Sequence, residues 1–224
     1  MSHYIVGVDL GQTHDHTAVA VLQRTERDTG NTETRLKNWY SGEKTTKPVR
    51  EGVYEVRYLE RFPLGTSYPA QVQRVARIVK DLKNRDDVLF RKGSVRLVVD
   101  QTGVGRPVVD MLRKEGLKDL YAVSIHAGDT SSREGKEYRT PKRELVSVLQ
   151  VLLQTDRLGV ASSLPEASLL TAEMLAFRVT ISAAGHDSYG NDWRENPHDD
   201  MVLAVALATW VGERVPRIGM QVFI

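Results

Sequence analysis

Four acids in this chain stand where carboxylates can do chemistry: Asp9, Asp100 and the adjacent pair Asp199 and Asp200. Asp9 lies in Val6-Gly7-Val8-Asp9-Leu10-Gly11, where Val6, Val8 and Leu10 share one face of a period-two strand and Asp9 shares the other with two glycines. A carboxylate on a buried strand is costly unless it is paired, hydrogen-bonded or bound to a metal. Gly7 and Gly11 have no side chains to crowd it and are expected to leave its approach open. Asp100 ends the β-branched run from Val95, at a strand-to-helix turn of the kind where ligands of open α/β sheets gather. Its structural alternative is a turn acid ahead of glycines. Asp199 and Asp200 head the apolar run Met201 to Trp210; Asn196 is expected to cap this helix, with Pro197 at its first position and Asp199 at its third. Capping accounts for Asp199 more easily than for Asp200. The helix dipole favours each by only ~0.3–1 kcal/mol, and a bound cation offsets their repulsion more effectively. If the first and fourth strands are neighbours, these acids converge on a pair of divalent ions. An oxygen-only set suits Mg²⁺ or Mn²⁺ better than zinc.

The elements that position these acids follow from hydrophobic period. Thr17 to Leu22 resumes as a strand after the Asp9 turn, so the chain opens with a hairpin. Residues 23–52, mixed in charge and rich in turn formers, are expected to be an excursion at the hairpin tip, with a short strand near Trp39 and Tyr40. A third strand is expected over Val53 to Phe62, a helix over Ala70 to Lys83, and the fourth strand over Val95 to Asp100. A helix stopped by Gly116 and a strand over Leu120 to Ile125 come next. Residues 126–140 show no apolar pattern and are expected to be a mobile loop. Further helices are expected over Pro141 to Thr155, Glu166 to Phe177 and Pro197 to Val211, with short extended pieces at Leu158 to Val160 and Val179 to Ser182 and a polar loop over Gly185 to Asn196.

With 224 residues, 41% hydrophobic and 27% charged, the chain is expected to form one domain. The absence of cysteine excludes disulfides and thiolate metal sites. No secretory leader is evident, and Met201 to Trp210 is short of the ~20 residues a membrane span needs. A soluble, cytoplasmic protein with no membrane partner is therefore expected. A formal charge of +2 is too small to mark a nucleic-acid binder by itself.

The order of elements and the acid placement resemble the ribonuclease H fold, and more narrowly the nuclease domain of phage terminase large subunits. The resemblance rests on GVDLGQTHDHTAVAVL, VVDQTGVGRPVVDML and HDDMVLAVALA, in that order. It implies an α/β fold with a ribonuclease H-like mixed five-stranded sheet, three antiparallel strands plus parallel strands, flanked by helices. It also implies an endonuclease that cuts double-stranded viral DNA during genome packaging by a two-metal-ion mechanism. Carried over by position, Asp9, Asp100 and Asp200 would be catalytic metal ligands for two Mg²⁺ or Mn²⁺ ions, with Asp9 bridging both. Asp199 would be a further ligand or a nearby acid, and Asp15 an accessory acid. No general-base side chain is required, so His14, His16 and His198 read as turn or cap-side residues. The chain has no G-x-x-x-x-G-K-[ST] loop for ATP, so residues 1–224 are expected to be a nuclease domain alone. The implied partners are the ATPase motor domain of the same large subunit, the portal and the small terminase subunit, in the host cytoplasm.

Cutting needs a cationic track beside the acids. Arg133, Lys136, Arg139, Lys142 and Arg143 are the expected DNA contacts, against a plain solvated loop and helix start. Arg91 and Lys92 precede the fourth strand and Arg96 lies near its start, at the end away from Asp100. Three other readings compete. GVDLGQT also resembles the phosphate turn of the actin, sugar kinase and chaperone ATPases, although a single domain leaves the Asp199-Asp200 helix without a task there. A Holliday-junction resolvase would share the same acids. A DNA-docking domain without chemistry would keep only the fold.

Overall fold

Strand β1 (His3–Asp9) is buried on both faces and forms the middle of the molecule. The structure, a computed structural model, describes residues 2–11, 15–38, 40–91, 93–103, 105–176, 178–181, 187–190 and 199–215. β1 pairs antiparallel with β2 (Ala18–Asn38), which pairs antiparallel with β3 (Glu43–Arg61). On its other side β1 pairs in parallel with β4 (Ser94–Asp100), which pairs in parallel with β5 (Leu120–His126). These five strands are the expected mixed sheet. Three short strands extend it: β6 (Ser132–Glu134) and β7 (Glu137–Pro141) beyond β5, and β8 (Leu158–Val160) beside β3, giving the order β6-β7-β5-β4-β1-β2-β3-β8.

Helices cover both faces. Tyr4, Val6 and Val8 pack with Val95, Leu97 and Val99 against α1 (Tyr68–Lys83) and α3 (Gly105–Lys114), with the short α2 (Asp86–Leu89) between them in sequence. In α1 the buried Val72, Val75, Ala76 and Val79 keep helical spacing along one stripe. On the other face Ile5, Ala20 and Val98 pack against α4 (Lys142–Gln154), α5 (Ala167–Ala176) and α6 (Asp200–Arg214). Helix α6 is buried from Asp200 to Gly212, with Met201, Leu207 and Trp210 almost fully enclosed. Each such side chain contributes about 1.5–3 kcal/mol, enough to bring the acid at the helix start into the interior with it. A separate pair, β9 (Arg178–Ile181) and β10 (Asp187–Gly190), is antiparallel. Among the described residues no helix is long and apolar enough to cross a membrane.

Several local expectations are corrected. Most of residues 23–52 continue β2 and β3 as a long ribbon, tied by the Arg27–Glu51 ion pair at 2.7 Å and a 3.0 Å hydroxyl contact between Thr34 and Thr46. Residues that face water on both sides give no apolar alternation, so the strand signal is missing from the sequence. The stretch expected to be a mobile loop contains β6 and β7. There Gly135 supplies the turn at φ +60°, and Tyr138 and Thr140 are buried on either side of exposed Arg139. Pro141 caps α4 rather than starting it. Helix α6 starts at Asp200 with Asp199 as its N-cap residue, three residues later than expected and reaching past Val211 to Arg214. Asn196, Pro197, His14, His198, Lys92 and Trp39 lie outside the described residues. Within the expected Gly185 to Asn196 loop, Asp187 to Gly190 form β10.

Gly7 also has a different task. A Cβ there would lie 2.0 Å from the Ala204 carbonyl oxygen, so its missing side chain admits α6 against β1. A Cβ on Gly11 would lie 2.2 Å from the Asp15 carbonyl, so that glycine is needed by its own turn.

Candidate active site

The sheet register brings Asp9 and Asp100 to the same end and face. Val8 lies beside Val99 in the parallel pairing, Ile5 and Gly7 point toward α6, and Val98 does the same on β4, so the next residues in phase are Asp9 and Asp100. The start of α6 delivers Asp199 and Asp200 to this place. Asp9 is only 8% exposed. Burial raises its carboxyl well above the ordinary carboxylate range, and the charges of Asp100, Asp200 and Asp199 raise it further, while Lys142 opposes them. Asp100, Asp199 and Asp200 are thus all within electrostatic reach of Asp9.

Each of the other three has its own neighbours. Asp100 Oδ1 accepts from the Thr102 backbone N–H at 2.7 Å and its hydroxyl at 2.5 Å, a turn interaction that also orients the carboxylate. Burial raises its pKa, and the Thr102 bonds and Lys142 hold it back. Asp199 Oδ2 receives the Lys142 ammonium at 2.7 Å. Asp200 Oδ2 receives Arg61 Nη2 at 3.2 Å, and burial pushes this carboxyl up to about 6 against the pull of Arg61. Asp15 is exposed, yet its charge is felt at Asp200, so Asp15 lies within reach of the same site. His16 sits beside this turn with Nδ1 donating to the Phe62 carbonyl at 2.8 Å.

Two neighbours were not expected from the sequence. Arg61 closes β3, and Glu173 is a buried acid, the one charged residue in the Leu169 to Ala176 stretch of α5. Glu173 Oε2 accepts the backbone N–H groups of Met201 at 3.0 Å and Val202 at 3.3 Å, and burial raises its carboxyl to about 7. Asp199 makes no side-chain cap bond of its own, so Glu173 caps α6 from another helix. A single charged residue in a stretch of Leu, Ala, Met and one Thr was the available signal for Glu173. Arg61 gave none beyond its place before Pro63.

Of the five expected DNA contacts, Lys142 joins the acid cluster. The others line the edge of the sheet near it in sequence. Lys136 pairs with Asp119 at 2.8 Å, Arg143 pairs with Asp129 at 2.8 Å, and Arg133 stacks over Tyr138. Arg139 is exposed and, among the described residues, has no carboxylate partner. A cavity of about 670 Å³ lined by Tyr4, Arg57, Tyr58, Arg74 and Arg85 lies on the α1 face, away from the acids. Its guanidiniums are engaged by Glu55, Glu60 and Asp87.

Among the described residues no three His, Cys, Asp or Glu side chains already form a closed metal-holding group. Thr102, Lys142 and Arg61 hold the carboxylates of Asp100, Asp199 and Asp200. The donor set nevertheless fits a hard divalent cation. It is all oxygen, it carries more negative charge than Lys142 and Arg61 neutralise, and its most buried member, Asp9, is surrounded by like charge.

No family model and no curated protein sequence matches the chain. Solved structures do. The large terminase nuclease from thermophilic phage G20c superposes with a TM-score of 0.56 at 20% identity, covering 92% of this chain and 81% of that one. The human cytomegalovirus terminase nuclease domain, soaked with Mn, gives 0.53 at 14% identity, covering 97% and 86%. The fold is therefore ribonuclease H-like, in the form seen in large terminase nuclease domains.

Proposed function

We propose that this chain is a terminase-type nuclease domain that hydrolyses phosphodiester bonds of double-stranded DNA during viral genome packaging. The observation that carries this is the meeting of Asp9, Asp100, Asp199 and Asp200 at one end of the sheet, with Asp9 buried among the charges of the other three. Asp9, Asp100 and Asp200 would hold two Mg²⁺ or Mn²⁺ ions, with Asp199 and Asp15 as nearby acids. Bound divalent ions supply a lowered pKa for water and charge to offset the leaving 3′ oxygen.

The chain's own residues supply position and charge balance. The β1–β4 ladder sets the spacing of Asp9 and Asp100. Thr102 turns the Asp100 carboxylate. The buried α6 carries Asp200 to them, and its first turn is tied to Glu173. Low water access around Asp9 strengthens every charge interaction in the site.

Arg139, with Arg133, Lys136 and Arg143, would track the DNA backbone, and Lys142 would meet phosphate close to the acids. ATP-driven movement would belong to a motor domain of the same large subunit, with the portal and small subunit as further partners in the host cytoplasm. The test is plasmid cleavage by the purified chain in Mn²⁺. Supercoiled plasmid and linear duplex are expected to be cut better than a four-way junction, and Asp9→Ala is expected to remove the activity. Unchanged nicking by Asp9→Ala overturns the assignment, and a preference for the junction points to a resolvase.

A further inference from the structure

Two buried polar atoms beside the acid cluster lack hydrogen-bond partners among the described residues: Arg61 Nε and Glu173 Oε1. They belong to side chains that already approach each other, with Arg61 Nη1 3.9 Å from Glu173 Oε1. The same guanidinium spends its Nη2 on Asp200 Oδ2 at 3.2 Å. Arg61 therefore stands between two carboxylates, bonded to one and short of a good bond to the other. Glu173 is held by the N–H groups of Met201 and Val202 through Oε2, which leaves Oε1 aimed at the arginine. Asp200 Oδ2 cannot serve a guanidinium and a divalent ion in the same direction.

We propose that Arg61 is a positioning residue that passes from Asp200 to Glu173 when a divalent ion binds at Asp200. The handover gives Arg61 Nε and Glu173 Oε1 the partners they lack, because leaving buried polar groups unpaired is costly. It also keeps a cation against a buried carboxylate in both arrangements, so ion binding at Asp200 does not strand a charge. Glu173 thus has two tasks: one oxygen caps α6, and the other receives the displaced guanidinium. This inference rests on the metal-dependent reading of the site.

The experiment is calorimetric titration of the full chain with Mn²⁺ at pH 8. It uses wild type, Glu173→Gln, Arg61→Gln and the double variant. Glutamine at 173 keeps an oxygen for the α6 N–H groups but turns an amide N–H toward Arg61, so the receiving carboxylate is lost while the cap remains. Glu173→Gln is expected to weaken Mn²⁺ binding about tenfold, within the usual range for coupled sites, and Arg61→Gln is expected to tighten it. In the double variant the Glu173→Gln penalty is expected to disappear, since no guanidinium needs a new partner. An equal penalty with and without Arg61 overturns the handover while leaving the metal site intact. Thermal melts confirm that each variant is folded. Asp9→Asn, run beside them, separates the two claims: Mn²⁺ binding that does not depend on Asp9 overturns both the nuclease reading and this inference.

Discussion

Lys142 is placed against the ordinary rule for helices. It is the first residue of α4, where the helix dipole disfavours a cation by about 0.3–1 kcal/mol. Its ammonium is 2.7 Å from Asp199, and the two side chains are 26% and 19% exposed, so the acid cluster outweighs the dipole. Arg143, one residue on, pairs with Asp129, which is 73% exposed. These two neighbours should behave differently. Lys142→Gln is expected to lower stability by about 1–3 kcal/mol, because a partly buried carboxylate loses its partner. Arg143→Ala is expected to change it by less than about 0.5 kcal/mol, as exposed pairs do. Urea denaturation at pH 8 in EDTA measures both, and equal losses would show that Asp199 does not depend on Lys142. Asp9→Asn belongs to the same scale. It is expected to reduce Mn²⁺-dependent plasmid nicking by roughly 10²-fold or more, since metal ligation supplies several kcal/mol of charge stabilisation. It is also expected to raise the melting temperature in EDTA, because it removes a charge that burial and three neighbouring acids oppose. A melting temperature that falls would mean that Asp9 is stabilised by contacts other than those described.

At the level of elements, the site depends on how closely α6 approaches β1. Gly7→Ala would put a methyl group 2.0 Å from the Ala204 carbonyl, and backbone cannot swing aside as a long side chain can. The variant is expected to lose about 1–3 kcal/mol or more by urea denaturation and to lose nicking activity as Asp200 is displaced. The β2–β3 ribbon is the opposite case. It runs past the start of β1, away from Asp9, and most of its residues beyond Arg27 and Glu51 are exposed. Replacing residues 30–49 by Asn-Gly is expected to change stability by no more than about 0.5 kcal/mol; a larger loss would mean that the ribbon is packed. This contrast explains what the sequence could show. β1, β4 and α6 are buried on both sides, so runs rich in Val, Ile, Leu and Ala announced them, and the acids at the ends of those runs were conspicuous. The ribbon, β6 and β7 carry charges and threonines on open faces and look like loops until the cross-strand partner is known. Arg61 and Glu173 were hidden for another reason. Their meaning lies in the long-range meeting of β3, α5 and α6, and no local spacing encodes that.

For the whole molecule, packing helices on both faces of one sheet gathers acids in a region of low dielectric. The consequence is a stability that should depend on pH in an unusual direction. Asp9, Asp100, Asp200 and Glu173 are all raised, with burial the first cause in each, Asp200 to about 6 and Glu173 to about 7. In the unfolded chain such groups titrate near ~4. The folded state therefore holds more protons than the unfolded state between these values, and stability falls as pH rises wherever that is so. The contribution of Asp200 and Glu173 is complete below about pH 4, in the unfolded range, and is lost as pH climbs through about 6 and 7. In EDTA the melting temperature is expected to fall by several degrees between pH 5 and pH 8, at about 2–4 °C per kcal/mol for a chain of this length. Mn²⁺ acts on the ionised forms, so the rise in melting temperature that it gives is expected to be small at pH 5 and large at pH 8. Scanning calorimetry at pH 5, 6.5 and 8, with and without Mn²⁺, measures both trends. A melting temperature in EDTA that rises steadily with pH would mean that the charges at this end of the sheet are already balanced within the protein. The acids would then have no need of an ion.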